Sequence, residues 1–177
     1  MFGRLETLPA REHPELLAAP VEAALSAASF EAYVAAIDPE LADTAALCDA
    51  YDVPLEVSAN CVVVTGRRGG EERHAACVVQ ATARADVNGV VRRRLDARKA
   101  SFADREFATA ATRMEFGGIT PLGLPADWPV WVDPGVVALP WIVIGSGVRG
   151  SKLVVPGVAL TTLPQAVVVD GLGRPVG

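Results

Sequence analysis

The sequence predicts an α+β fold: a single compact domain with a mixed, barrel-like curved sheet surrounded by short helices. Three observations predict it. The chain has 177 residues, 51% of them hydrophobic, which suffices for one core and is too little for two generous domains. Short β-branched runs recur between breaks rich in Gly and Pro. Helical and strand-like stretches alternate irregularly, unlike the regular βαβ repeat of a doubly wound parallel sheet.

Taken in order, His13 to Ser29 reads as a helix, with Pro14 tolerated in its first turn and Leu16, Leu17, Val21, Ala24 and Leu25 at helical spacing. Phe30 to Ile37 reads as a strand closed by Asp38-Pro39, and about Asp43 to Tyr51 as a second helix. Cys61 to Thr65 is β-branched, Gly66 to Glu72 is a polar turn, and Arg73 to Thr82 is the returning strand of a hairpin. Asp86 is a suitable N-cap for a short helix through Arg94, and Ser101 or Asp104 for another reaching Arg113. The run Gly117 to Gly123 (Gly-Gly-Ile-Thr-Pro-Leu-Gly) stops regular structure. Beyond it, Val130–Val132, Trp141–Gly145, Lys152–Val155 and Ala166–Val169 are short buried strands, with a brief helix from Pro156 to Leu163.

Composition excludes several functions. A mean hydropathy of +0.31 excludes general disorder. The most apolar stretch, Val130 to Ile144, is interrupted by Asp133, Pro134, Gly135 and Pro140, so no membrane span is expected. The N-terminus shows no secretory leader, and the expectation is a soluble, cytoplasmic domain. Cys48, Cys61 and Cys77 are an odd, widely spaced set, unsuited to a disulfide framework or a zinc site, and are read as buried thiols. His13 and His74 are the only histidines; both read as surface residues, which disfavours a histidine-driven hydrolase. No cofactor or metal is expected.

Overall acidity conceals segregation. Residues 1–60 carry eleven acids against two arginines, whereas residues 61–113 carry eleven Lys or Arg against six acids. The basic third holds Arg67-Arg68, Arg92-Arg93-Arg94 and Arg98-Lys99. Such density is either a solvated face or a surface that contacts phosphate and orients a nucleic-acid end.

Gly145-Ser146-Gly147-Val148-Arg149-Gly150 matches G-x-G-x-x-G after a strand, with Asp170 placed 20 residues beyond its last glycine. A dinucleotide site needs that loop to open a helix whose amides hold the pyrophosphate. Here it is followed by Ser-Lys-Leu-Val-Val-Pro, a strand. The loop is therefore a glycine-rich connection whose main chain can approach a ligand closely, with Arg149 available for a phosphate or carboxylate.

The two glycine loops together carry a resemblance. From roughly Thr44 to the C-terminus the chain resembles the YbaK/ProX family of aminoacyl-tRNA editing proteins, relatives of the editing domain of bacterial prolyl-tRNA synthetases. The run Gly117 to Gly123 is close to that family's Gly-Gly-Ile-Ser-Pro-Leu-Gly signature, and Gly147-Val148-Arg149-Gly150 is similar to its Gly-Lys-Arg-Gly turn. Thr112, Asp133 and the helix start Asp43-Thr44-Ala45 support the match, as does Leu95 to Ala100, which looks like the family's Lys-Lys-containing helix. Residues 1–29 remain outside the resemblance, as an N-terminal extension expected to be helical; residues 30–177 form the editing-type domain.

The resemblance implies hydrolysis of the ester joining a wrong, small amino acid to the terminal adenosine of a tRNA, with aminoacyl-tRNA as partner and a synthetase as a possible second one. An activated ester needs little acid–base help once water is positioned and its oxyanion meets preorganised amides. Gly117, Gly118 and Thr120 are the expected catalytic residues. Asn60, Ile119, Pro121, Gly145, Ser146, Gly147 and Arg149 are expected to line the substrate pocket, and Arg92, Arg93, Arg98 and Lys99 to contact tRNA. Trp128, Trp131 and Trp141 could stack an adenine, but core packing is the simpler reading.

One departure stands out. The family has a functionally important lysine where this chain has Asn60. An amide can donate a hydrogen bond but supplies no charge. Three outcomes follow: an arginine, with Arg149 the first choice, substitutes; catalysis rests on the loop and the substrate's own 2'-hydroxyl; or the protein is a binding module of the same shape that does not hydrolyse.

Overall fold

The computed structural model describes residues 2–176; Met1 and Gly177, the outer ends of the two expected segments, lie outside the described residues. The chain begins with β1 (Leu8–Pro9), two 3-10 turns (Ala10–Glu12 and Pro14–Leu16) and α1 (Ala19–Ala27). The continuous helix expected from His13 is thus broken, and α1 starts only where Pro20 can occupy a first-turn position. Next come β2 (Tyr33–Ala36) and α2 (Thr44–Tyr51), whose N-cap Asp43 accepts hydrogen bonds from the amides of Ala45 and Ala46.

The hairpin of β3 (Ala59–Arg68) and β4 (Glu71–Gln80) dominates the middle. β5 (Ala83–Ala85) leads to a π-helical turn (Val87–Val91) capped by Asp86, which runs into α3 (Arg92–Arg94). β6 (Lys99–Phe102) and α4 (Arg105–Thr112, capped by Asp104) follow. The last third supplies β7 (Val130–Val132), α5 (Pro134–Val137), β8 (Ile142–Gly145), β9 (Ser151–Val155), a 3-10 stretch (Gly157–Thr162), β10 (Ala166–Val168) and β11 (Gly173–Pro175).

These strands form two main sheets. One is antiparallel, in the order β1-β2-β9-β8; the other is mixed, in the order β10-β7-β4-β3-β6, and β11 pairs with β5 as a small ribbon. The α+β class holds, but the sheet is not a closed barrel. The two sheets are joined at one isolated parallel bridge, Ser58 to Val143.

The largest core cluster spans both sheets and the N-terminal elements: Val21 and Leu25 of α1 pack with Val34, Val78, Ile144 and Leu153. Trp128 and Trp131 are buried, and Trp141 packs edge-on against Tyr33, so the tryptophans serve the core. The segment Leu95 to Ala100, likened above to a helix, instead turns at Asp96 (φ 50°) and enters β6.

Candidate functional site

The seam between the sheets is where chemistry-bearing residues gather. β6 pairs with β3 only over Val64–Arg67, and Ala103 N–H closes on the carbonyl of Val63. The outer edge of β3 from Ala59 to Val62 therefore has no strand neighbour beyond the Ser58 bridge. A cavity of about 740 Å³ opens there. Its walls are the start of β3, the start of α2, the end of β8, Lys152 of β9 and the loop after α4. That volume is in the range of small-ligand sites.

Four of the expected site residues reach the lining: Asn60, Gly117, Ile119 and Gly145. Asn60 sits on β3 opposite Val79, and its Oδ1 accepts a 2.6 Å hydrogen bond from Thr44 Oγ1 at the start of α2. The bond fixes the carboxamide orientation and leaves its two N–H donors for the cavity. Thr44 thereby enters the site as a positioning residue.

Gly118, Thr120, Pro121, Ser146, Gly147 and Arg149 lie behind the lining instead. Gly118 N–H, expected to face an oxyanion, donates to Glu115 O, and Gly118 O accepts from Gly147 N–H at 2.7 Å. No main-chain acceptor takes the amides of Gly117 or Ile119 among the described residues. Thr120 is fully buried, with its hydroxyl unpartnered. Ser146 Oγ bonds to Ser151 Oγ at 2.7 Å. Arg149 is spent on structure: its guanidinium donates to Phe116 O at 3.0 Å and Pro39 O at 2.9 Å, and its amide donates to the Glu115 carboxylate. The proposed arginine substitute for the absent charge is therefore a clamp across loops.

The two glycine loops touch so closely that side chains are excluded. A Cβ on Gly145 would lie 2.4 Å from Gly118 O, and one on Gly118 would lie 2.7 Å from the main chain of Val148. Gly117 adopts φ +86°, which L-residues rarely tolerate. Composition thus fixes the wall: main chain faces the cavity because no side chain fits between the loops.

Lys152 was not singled out by sequence. It is only 6% exposed, lines the cavity, and its Nζ donates to Ala42 O at 2.8 Å and Gly117 O at 3.5 Å. Burial lowers its pKa from the usual lysine value, opposed by the charge of Asp43. The sequence signal was weak, because a lone lysine in a strand usually points to water.

The remaining titratable groups are less suited to chemistry. Cys61 lines the cavity, but burial pushes its thiol pKa far up, and that of Cys77 up to about 12, so neither is a thiolate nucleophile at neutral pH. His74 is half-buried rather than on the surface, accepts or donates at Thr65 Oγ1 (3.1 Å), and its ring lies tilted against Phe107 with centroids 4.4 Å apart, away from the cavity. Among the described residues no group of three or more His, Cys, Asp or Glu comes together as a metal site would require, and no helix is long and apolar enough to cross a membrane.

The mouth is aromatic and basic. Phe102 and Phe116 are 63% and 48% exposed on the lining, and the Arg105 guanidinium lies 4.3 Å over the Phe116 ring. Phe102 ends β6, the strand that begins at Lys99. Arg93, Arg98 and Lys99 are exposed and form no ion pair among the described residues, while Arg92 donates to Asn88 O.

Comparison with known proteins agrees with this architecture. No curated protein matches the chain. Among solved structures, a proposed trans-editing enzyme for prolyl tRNA synthetase superposes with a TM-score of 0.72 at 20% identity, covering 86% of this chain and 94% of its own. A hypothetical protein, APE2540, superposes with a TM-score of 0.74 at 18% identity, covering 88% and 99%. At such identities the likeness concerns the fold. The model of the aminoacyl-tRNA editing domain matches residues 38–163, the stretch that builds every wall of the cavity, and the chain belongs to that family.

Proposed function

We propose that this protein is a trans-editing deacylase, which hydrolyses the ester between a wrongly attached small amino acid and the terminal adenosine of a tRNA, in the manner of prolyl-tRNA editing. The observation that carries the reading is the seam cavity, bounded on one side by the main chain of Gly117 and Ile119 and on another by the oriented amide of Asn60. Water adds to the ester carbonyl, the oxyanion is met by fixed donors, and collapse releases the amino acid and the 3'-hydroxyl. Fixed donors need no reorganisation as charge develops, the largest catalytic term available to a site without histidine.

The mouth supports an adenosine end. Phe102 and Phe116 offer exposed ring faces for a base, and Arg105 adds a cation beside them. Arg93, Arg98 and Lys99 extend the basic surface along β6 for tRNA phosphates, with Arg92 beside them. Selection among amino acids is assigned to contact between the substrate side chain and the lining, which includes Ala59, Ala103 and Ala108.

A non-hydrolysing tRNA-end binder is favoured by one observation, the uncharged Asn60. The deciding experiment is incubation of the purified protein with tRNAs mischarged with alanine, serine or cysteine. The deacylase reading expects ester loss well above buffer for at least one; salt-sensitive binding with no turnover for any would establish the binder instead.

A further inference from the structure

We propose that Lys152 supplies the positive charge of the cavity and donates directly to the carbonyl oxygen of the bound ester; this rests on the deacylase reading above.

The argument begins with an anomaly of burial. Lysine is among the residues least often buried, and a buried ammonium ordinarily has a carboxylate beside it. Lys152 is 6% exposed, yet no acid lies within ion-pairing distance among the described residues. Asp43, the carboxylate whose charge acts on it, caps α2 through the amides of Ala45 and Ala46. Two neutral carbonyls, Ala42 O and Gly117 O, hold the charge instead. An ammonium has three donors, so one is left, on a residue that lines the cavity.

Packing does not require this residue. Every residue of β9 is buried, and an apolar side chain would suit that strand better than an ammonium that must leave water. What the ammonium offers is chemistry. Lys152 pairs with Gly145 across the β8–β9 ladder and reaches the carbonyl of Gly117, so it arrives at the glycine wall from one strand while Asn60 arrives from another. A fixed cation at a dry wall interacts with developing negative charge far more strongly than in water.

The step balances without a proton on Lys152. Water oxygen bonds to the ester carbon, and the carbonyl π pair moves to oxygen, which accepts the free N–H of Lys152. On collapse the C–O bond to the ribose breaks, and the proton from water ends on the departing 3'-oxygen, passed through the neighbouring 2'-hydroxyl. Lys152 stays protonated throughout. The bond from Lys152 to Gly117 O also holds the loop peptide in place.

The test uses the full chain and tRNA(Pro) mischarged with alanine under single-turnover conditions, with Lys152→Met, Lys152→Gln and Lys152→Arg. Loss of the charge is expected to slow deacylation by about 100-fold or more, and Lys152→Arg to recover part of it. Asn60→Lys placed in the Lys152→Met background is expected to restore at least about tenfold, because the charge re-enters from the other wall. The rate ratio of wild type to Lys152→Gln should also shrink as pH approaches the lowered pKa of Lys152, which a purely structural lysine would not produce.

A second readout is independent of turnover. The chain contains only two lysines, Lys99 and Lys152, so ¹³C-lysine labelling gives two side-chain signals, assigned with Lys99→Arg. The stable amide 3'-alanylamino-3'-deoxyadenosine should shift the Lys152 signal and leave Lys99 in place. Wild-type turnover with a Lys152→Gln rate within about threefold of it would overturn the role of Lys152 and leave the deacylase reading intact. Absence of turnover by wild type would overturn that reading; an unmoved Lys152 signal would then overturn this proposal too, and a shifted one would keep Lys152 as the ligand-binding charge.

Discussion

Two glycine turns serve opposite purposes in this molecule. Gly69-Gly70 closes the β3–β4 hairpin as a two-residue turn between the paired Arg68 and Glu71, with φ of +58° and +86°. Nothing lies within 4 Å of where a Cβ would sit at either position. Glycine is needed there only for its backbone angle. At the seam, Gly118 and Gly145 have ordinary φ values but no room, since each would drive a Cβ into the facing main chain. Composition alone does not distinguish the two cases; the surrounding space does. One glycine pair shapes a connection, and the other shapes a wall of the cavity.

The comparison can be broken most forcefully at the seam. Gly145→Ala and Gly118→Ala must each push the loops apart, at a cost of about 3 kcal/mol, and deacylation should fall with the stability; denaturant melts and single-turnover rates check both. On the opposite wall, Asn60→Ala removes a cavity donor and should slow deacylation by about 100-fold, while the melting temperature moves little. Thr44→Val, which only frees the amide to rotate, should cost less than Asn60→Ala. Neutralising Arg93, Arg98 and Lys99 to Gln should weaken tRNA affinity, each lowering the salt slope by about 1, with the chemical step unchanged at saturation. Gly70→Ala should lose only about 1 kcal/mol, the cost of the left-handed backbone, and leave deacylation intact. An effect there as large as at Gly145 would erase the distinction.

The smallest effect concerns pH. Burial lowers the pKa of His74 below 6.5, so the folded chain keeps this ring neutral where the unfolded chain binds a proton. Its contribution is complete above pH 6.5 and is lost as pH falls from there toward the lowered value. Melting temperatures between pH 7.5 and about 5 should therefore slope more steeply in wild type than in His74→Gln.

Local chemistry was legible in the sequence wherever one residue decides an outcome. Asp86 and Asp104, expected as N-caps, cap the turns they precede, because a short carboxylate before a helical turn has one obvious use. The central hairpin was evident from β-branched runs around a Gly-Gly turn. What was missed depends on distant partners. β1, β5 and β11 are two or three residues long and exist only through their pairing. β6 lies in the stretch that the resemblance likened to a helix, but the chain turns at left-handed Asp96, Arg98 N–H finds Arg67 O and the strand joins β3.

Lys152 was hidden for a related reason. Alternation along a strand sends a lone lysine outward, and β9 defeats the rule because both its faces are covered. Arg149, adjacent to a glycine loop, had the profile of a ligand contact. The carbonyls of Phe116 and Pro39 claim it, and no one-dimensional pattern reveals that. Similarly, Gly118 belongs to the signature run, yet its amide is turned toward Glu115.

The account stands on the cavity being the place where the ester sits. Ala103 is half-buried on its lining, beside the small cluster of Val63, Ala108 and Trp128, and Ala103→Phe would set a ring at that wall of the cavity. The direct measurement is single-turnover deacylation of alanine-mischarged tRNA(Pro) by Ala103→Phe beside wild type, with melting temperatures recorded for both. The account predicts turnover by wild type and its near-complete loss in the filled variant, with the fold retained; an undiminished rate in a protein whose cavity is occupied would contradict it.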